Sequence, residues 1–503
     1  FIKIFLLYRV EMTDELGLAR NWLNEYPPAI LTALKKLVEG YRQVYVTGGA
    51  VRDWLRGNRA FDLDLTVAGD GLAAARFLAG ETGGAFVPLD ERERVGRVVT
   101  DGLTIDISSF REGTSGIIDD LSRRDFSINA MGVALDPATG TLCEPLSLID
   151  PLGGAADLAG GLVRAPAAEV FENDPLRLLR AYRFAACLSF TIESQTREWI
   201  IPRGELLRRP APERINYELM AIMASDRAAV IVAEMNEAGI LGVIFPELLP
   251  GKGLEQPASH HLDVLSHNLA ALAAVEKIIA QPALFFPEHS DHFRDYLAAP
   301  SRPRLLKWAA LFHDLGKPET CETREDGRTT FYNHDRAGAE IFTEIGRRLR
   351  WSRDHLRTVT GLIELHMYPF HLSNAIRKNG ITPKACLRLV KAAGEDLPGF
   401  FMLAMADSLA SQGPLRPAAM EEDLASLYAG IDKVYRESIR PVLSGPPLLT
   451  GHDLKEMGLE PGPLFGRILS GLEQARVAGE IEGKDQAEDW VRAFLTARSE
   501  EQD

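Results

Sequence analysis

The chain has 503 residues, 46% of them hydrophobic, and a formal net charge of −15. That length implies more than one domain, and the acidic balance argues against a general nucleic-acid binder while leaving room for a local basic strip. The four cysteines, Cys143, Cys187, Cys321 and Cys386, are scattered with no C-x-x-C, which suggests a reducing, cytoplasmic setting and excludes a cysteine zinc site. No apolar run reaches the roughly 20 residues that cross a bilayer, so no membrane partner is expected. All eleven histidines lie after residue 250. Any metal held by the first half must therefore be held by carboxylates.

The chain opens on Phe1, and Met12 is a candidate start that would leave residues 1–11 as a translated upstream piece. Apolar residues at helical spacing (Leu16, Trp22, Leu23, Ile30, Leu31, Leu34, Leu37) predict a helix over 14–40. A short strand follows over 44–47. Gly48 and Gly49 turn the chain into a short helix carrying Arg52 and Asp53. After Gly57-Asn58 a second strand runs over 61–67 and alternates strictly, with Asp62, Asp64 and Thr66 on one face. Two carboxylates beside a glycine turn with bare N–H groups suit Mg²⁺ and a nucleoside triphosphate, although a D-x-D pair alone is more often a solvated face. Residues 71–82 predict a helix, and 97–100 with 103–109 a hairpin around Asp101-Gly102. On its second strand Asp106 is either a third carboxylate beside Asp62 and Asp64 or an ordinary surface aspartate. Arg123-Arg124-Asp125 offers guanidinium groups for phosphate or ribose, or a structural salt bridge. In NDPLRLLRAYRFAA (173–186), Pro175 suits a first helical turn capped by Asn173 or Asp174. Asp174, Arg177, Arg180 and Arg183 then make a polar stripe, fit to hold a triphosphate or read a base, or simply a solvated face. From about residue 165 the pattern is helical to the end, with Pro- and Gly-rich breaks.

In the histidine-rich half, His267, His313-Asp314, His334, His366 and Asp407 sit in helical patterns. A lone helical histidine is usually a core residue, but an adjacent His-Asp pair inside WAALFHDLGKP (308–318) needs partners if buried, and histidine with carboxylate suits a divalent metal. His260, His261, His289, His292, His355, His371 and His452 read as surface or loop residues, with Asp453 part of a helix cap after Thr450. Candidate RNA strips are Arg203 with Arg208 and Arg209, and Arg347, Arg348, Arg350, Arg353 and Arg357; the second is either a solvated helix face or a strip where Trp351 could stack on a base.

Taken in order, GGAVRD (48–53), DLD (62–64), RRDFSINAM (123–131), DPLGGAADL (150–158), NDPLRLLRAYRFAA and ERINYEL (213–219) resemble class II tRNA nucleotidyltransferases and their poly(A) polymerase relatives. VLSHNLA, LFHDLGKP, FYNHDRAGAE, LIELHMYP and LAMADS resemble an HD phosphohydrolase domain. The resemblance implies an α+β nucleotidyltransferase head (a mixed sheet with helices, of the DNA polymerase β type) followed by an all-α neck, body and HD domain. The expected boundaries are an N-terminal leader and helix over 1–40, the head over 41–160, a helical neck for RNA over 161–256, the HD domain over 257–430 and a C-terminal helical segment over 431–503. The implied activity is template-independent transfer of CMP and/or AMP from CTP or ATP to the 3′ end of tRNA, with a second, metal-dependent phosphohydrolase activity.

The same resemblance implies residue roles. Asp62 and Asp64 would hold Mg²⁺ and carry catalysis, to which Asp106 is added by its place on the neighbouring strand face. Gly48, Gly49, Arg52, Arg124, Asp125, Asn173, Asp174, Arg177, Arg180 and Arg183 would contact the nucleotide. His267, His313, Asp314, His334, His366 and Asp407 would hold a divalent ion such as Mg²⁺, Mn²⁺ or Ni²⁺. The family usually has Glu where this chain has Asn173, which leaves the choice between C and A open. Rival readings are a poly(A) polymerase, which the HD domain and the acidic tail 499–503 oppose, and an HD signalling phosphohydrolase with a regulatory nucleotidyltransferase head.

Overall fold

The computed structural model describes residues 23, 25–41, 43–60, 62–100, 102–143, 147–379 and 382–500, with side chains other than those of 375–379 and 498–500. The upstream piece 1–11, Leu16 and Trp22 of the first helix, Phe61, Asp101 and the last residues of the acidic tail lie outside that set.

Two compact units form: one runs to Glu218 and includes Ala238–Val243, the other takes Leu219–Glu237 and the chain from Ile244 on. In the first unit, helix α1 spans Pro28–Gly40. The expected single helix over 14–40 is interrupted there, because Pro27 and Pro28 have no N–H to donate and Pro28 suits a helix start. Strands β1 (Val44–Thr47), β2 (Asp62–Val67), β3 (Ala85–Asp90), β4 (Val95–Thr100), β5 (Leu103–Ser109) and β6 (Gly132–Ala134) form one sheet in the order β3-β4-β5-β2-β1-β6. Helices α2 (Gly49–Leu55) and α3 (Gly71–Thr82) connect them. β2 and β5 are parallel and the other neighbours antiparallel. The alternation of β2 is used as the sequence predicts: Leu63, Leu65 and Val67 are fully buried, and the other face carries the carboxylates. β3 and its pairing with β4 are additional to the expected elements.

Further on, α4 (Ile117–Ser122), α5 (Glu169–Asn173) and α6 (Arg177–Leu188) follow. Strands do not stop at 165: Leu162–Val163 pairs with Thr191–Ile192, and Glu322–Thr323 with Thr329–Thr330. Such two-residue pairs are too short to carry a period-two signal. Asp174 precedes Pro175 and is extended (φ −140°, ψ 98°), which ends α5 at Asn173, and its Oδ1 accepts the Leu176 N–H at 3.2 Å, so it caps the turn at Pro175 that leads into α6 at Arg177.

The second unit is helical. Its core is built by α7 (Val264–Ala280), α8 (Arg302–Phe312), α9 (His334–Arg348), α10 (Arg353–Leu365) and α11 (Leu397–Ala410). Trp308, Phe312, Phe342 and Trp351 pack as a connected aromatic cluster. Trp351 is therefore buried and not offered to RNA, and Arg348 of the same strip is held by Glu247 at 2.7 Å. The helix cap is as expected: Thr450 and Asp453 form a reciprocal capping box. Among the described residues no helix is long and apolar enough to cross a membrane.

Candidate active sites

The first site lies on the polar face of the head sheet. The parallel register sets Asp64 beside Asp106, and Asp62 beside Thr104. Period two then lines Asp62 and Asp64 along β2, with Asp106 abreast of Asp64. Gly48 turns the chain above them at φ 68°, where a Cβ would lie 3.0 Å from Asp64 Oδ2 and 3.2 Å from Arg124 Nη1, so the backbone approaches this closely only as glycine. The Gly49 N–H donates to Asp64 Oδ2 at 2.9 Å. Burial, then the charge of Asp106, raises the pKa of Asp64. Asp106 accepts two hydrogen bonds from Arg97, both at 2.8 Å. That pairing, with the charges of Asp106 and Asp62 as further causes, raises the pKa of Arg97 against the cost of burial.

Arginines close the opposite side. Arg52 donates to Asn129 Oδ1 at 2.8 Å, and Asn129 donates to Asp125 at 3.4 Å. Arg180 pairs with Asp125 at 2.8 Å and Arg183 with Glu218. Arg124 donates to Thr66 Oγ1 at 2.8 Å and lies 3.4 Å from buried Asp120. Burial lowers the pKa of both Arg124 and Arg177. A cavity of about 500 Å³ is lined by Gly48, Gly49, Arg52, Asp64, Asp106, Arg111, Arg124, Asp125, Asn129, Arg177, Arg180, Arg183, Phe184 and Tyr217, among others. Carboxylates on one wall and guanidinium groups on the other suit Mg²⁺ and the phosphates it bridges.

Three expected residues stand outside this lining. Asp62 is exposed at the start of β2, and Asn173 is exposed at the end of α5. Asp174 Oδ2 accepts from Arg214 at 2.9 Å. Of the expected RNA strip around residue 203, Arg203 is paired with Glu172 at 2.9 Å and Arg208 with Glu205 at 2.6 Å. Arg97, Arg111 and Asn129 were not singled out from the sequence. Asn129 lies inside the RRDFSINAM motif, four residues after Asp125, and that spacing was the available signal.

The burial of Asp64 has a consequence for stability. A carboxyl whose pKa is raised on folding stabilises the fold while protonated, and that contribution is lost as pH rises through the folded value. Metal-free protein is expected to lose stability over the range just above the ordinary carboxylate pKa, Asp64→Asn to flatten that part of the profile, and Mg²⁺ to offset the loss. Thermal unfolding against pH, with and without Mg²⁺, measures all three.

The second site lies in the helical unit. His267 is on α7, His313-Asp314 directly follows α8, His334 starts α9, His366 directly follows α10 and Asp407 is on α11. All are buried; α11 is mostly apolar, and Asp407 Oδ1 accepts from Ser411 Oγ at 3.4 Å. Asp314 stands between two groups. Its Oδ2 is 3.4 Å from both His267 Nε2 and His313 Nε2, and its Oδ1 is 3.3 Å from His334 Nε2 and 3.7 Å from His366 Nε2. Asp407 Oδ1 lies 3.1 Å from His267 Nε2. Lys317 approaches Asp314 at 2.5 Å. Burial opposes the charge on Asp314, but His313, then Lys317, hold its carboxyl well below the usual range.

Whether this donor set fits a metal is decided by the ring protons. His313, His334 and His366 each place Nδ1 against a main-chain carbonyl, of Ala310 (2.9 Å), Phe331 (2.7 Å) and Ile363 (2.7 Å). Donation of Nδ1–H there leaves a bare lone pair at Nε2. Burial, with His334 and His313 nearby, takes His366 down to about 3, so its ring is neutral. The Nε2 atoms of His334 and His366 nevertheless face each other at 3.2 Å. Two lone pairs at that distance repel unless a cation lies between them. The set fits divalent metal, with Asp314 as the shared carboxylate. An adjoining cavity of about 550 Å³ is lined by Asp314, Lys317, His334, Asp407, Phe331, Tyr332 and Arg416, among others. His260 also lines it, half-buried, and burial takes its pKa down to about 4. His260 is thus a loop residue, as expected, but one turned into the cavity rather than out to solvent. His289 and His292 are turned toward Asp432 at 3.4 and 3.7 Å and belong to neither site.

The chain is 34% identical over 463 residues to an A-adding tRNA nucleotidyltransferase of Deinococcus radiodurans, covering 91% of this chain and 95% of the relative. The chain belongs to the tRNA nucleotidyltransferase family. A CC-adding tRNA nucleotidyltransferase of Thermus thermophilus is 32% identical, with 90% and 93% covered. Residues 44–164 match the family described as "Poly A polymerase head domain", 189–251 "Probable RNA and SrmB- binding site of polymerase A", and 265–395 "HD domain". Similar solved structures include a CCA-adding enzyme with CTP (TM-score 0.61, 21% identity, 94% of this chain and 97% of that chain). The CCA-adding enzyme of Thermotoga maritima with tRNA is similar too (TM-score 0.59, 20% identity, 94% and 97%). At these identities the likeness establishes the fold: a mixed-sheet head followed by helices and an HD domain. The chain is an enzyme of the nucleotidyltransferase type.

Proposed function

We propose that this chain adds CMP and/or AMP, from CTP or ATP, to the 3′ end of tRNA, and that its HD domain is a second, independent phosphohydrolase site. The observation that carries the first part is the opposition of Asp64 and Asp106 to Arg52, Arg124, Arg177, Arg180 and Arg183 across one cavity. Asp62, Asp64 and Asp106 would hold Mg²⁺, which when bound activates the RNA 3′-hydroxyl and neutralises charge on the transferred phosphate. The chain's own groups do the rest. The Gly48-Gly49 turn offers N–H groups to phosphate oxygens. Arg52 and Arg124 position the phosphates and ribose. Arg177 reads a base edge, and Asp174 joins it on leaving Arg214. Arg180 and Arg183 are fixed by Asp125 and Glu218 as further contacts. No protein nucleophile is required, in keeping with a head that has no histidine. The tRNA reading is preferred over poly(A) addition because the relatives matched over nine tenths of the chain carry tRNA names.

The domain boundaries given above, at 40, 160, 256 and 430, are retained as part of the proposal. Purified protein is expected to extend tRNA that ends at the discriminator base, at C or at CC, when given CTP or ATP singly. C additions without A mark a CC-adding enzyme, A added only to the CC end marks an A-adding one, and both mark full CCA addition. A long A ladder on unrelated RNA would overturn the tRNA reading.

A further inference from the structure

We infer that His260 is itself a metal ligand, joining His267 and Asp407 at the first of the two cation positions. The inference rests on the reading that the HD donors hold divalent metal, and adds to it an imidazole supplied by the loop before α7.

Donor atoms of His260, His267 and Asp407 lie within 4.8 Å of one another. Two donors about 2.1 Å from one ion are at most about 4.2 Å apart, so a small closure of the loop brings the three donors within the span of one ion. The His260 ring already stands edge-on to His267, with centroids 5.0 Å apart. Ser259 Oγ is 3.1 Å from His260 Nδ1. A hydroxyl that accepts Nδ1–H leaves Nε2 bare, the part main-chain carbonyls play for His313, His334 and His366.

The loop is fixed to the chain that follows Asp407. Gly413 N–H donates to Ser259 O at 2.9 Å and Leu415 N–H to Ala258 O at 3.0 Å, while Gln412 N–H donates to His261 Nδ1 at 3.2 Å. A Cβ on Gly413 would lie 2.4 Å from Ala258 O and 2.6 Å from His260 N, so glycine there is what lets the loop close over the helix end. His260 is thereby held on the Asp407 side of the cavity by contacts a surface histidine would not need. With it, the first position offers three imidazoles with Asp407 and one Asp314 oxygen, whereas the second offers His334, His366 and the other oxygen. Nitrogen enrichment favours a borderline transition divalent ion over Mg²⁺.

The test is a Co²⁺ titration of the metal-stripped full chain against a chromophoric chelator, with the visible d–d absorption recorded. The parent is expected to bind at two positions. His260→Phe keeps the ring's bulk and removes its donors, and is expected to weaken one position by about tenfold or more and change its spectrum, with the other unaltered. Gly413→Ala, which displaces the loop but leaves the imidazole, is expected to weaken the same position. Parent-like affinities and spectrum in His260→Phe would overturn the inference while the metal reading stands, and so would equal loss at both positions. A parent chain that binds no Co²⁺ overturns the metal reading and the inference together.

Discussion

Asp64→Asn is expected to abolish nucleotide addition, with kcat/KM falling about 1,000-fold or more, since a metal clamp on a transferring phosphate is worth several kcal/mol. The substitution keeps shape and the hydrogen bond from Gly49, so the fold survives. It also removes a half-buried charge whose ionisation is already opposed by desolvation and by Asp106. The variant should therefore be at least as stable as the parent at neutral pH, which separates loss of chemistry from loss of structure. Asp62→Ala is expected to abolish transfer as well, because period two puts its carboxylate on the face of Asp64. It is exposed, so its removal leaves no cavity. Single-turnover addition of labelled nucleotide to tRNA measures both. Activity within tenfold of the parent in Asp64→Asn would exclude the carboxylate from metal binding. Loss of HD phosphatase activity in the same variant would contradict two independent sites.

What the sequence made legible follows the range of its signals. Alternation over 62–67 and the glycine turn are local, and both are found where the pattern puts them. The parallel pairing of β2 with β5 is not local: a helix and two strands intervene, and only that pairing turns Asp106 from a surface aspartate into the neighbour of Asp64. Arg97 is a different case, since the hairpin expected around Asp101-Gly102 itself pairs 97 with 106, whereas Arg111 meets Asp120 only once α4 has formed. The motif order located the arginine stripe, but not its internal pairing: Arg180 and Arg183 reach the cavity already engaged by Asp125 and Glu218. His260 reads as a loop residue and is one, but its turn into the cavity depends on Gly413, more than 150 residues later, and no periodicity connects a loop to a loop. Trp351 is the reverse case. Its arginine neighbours suggested a surface, while its ring completes the aromatic cluster of the helical unit. For Asp106, His260 and Trp351 the residue's type was evident, and its environment was set by pairing and packing that reach well beyond its own element.

Asp314→Asn is expected to remove both metals from the HD site while nucleotide addition continues. Each carboxylate oxygen of Asp314 serves a different pair of imidazoles, His267 with His313 and His334 with His366. An amide supplies one oxygen and replaces the other with an NH₂ that cannot ligate, so one position loses its oxygen donor and the shared negative charge disappears from both. The loss should exceed that of His334→Ala, which strips one imidazole from one position. The packing reinforces the contrast. Asp314 is the carboxylate Lys317 leans on at 2.5 Å, and with its charge gone that buried ammonium raises the local potential against any incoming cation. Metal content after desalting, with hydrolysis of a nucleoside 2′,3′-cyclic phosphate, measures the effect. Two ions should be retained by the parent, one by His334→Ala and none by Asp314→Asn. Retention of one ion by Asp314→Asn would mean that the carboxylate is needed at a single position, and a parent that itself retains one ion would replace the two-metal reading with a mononuclear site. Transfer to tRNA reads the other half of the argument: no ligand of the head site is shared with the HD donors, so its rate should be that of the parent.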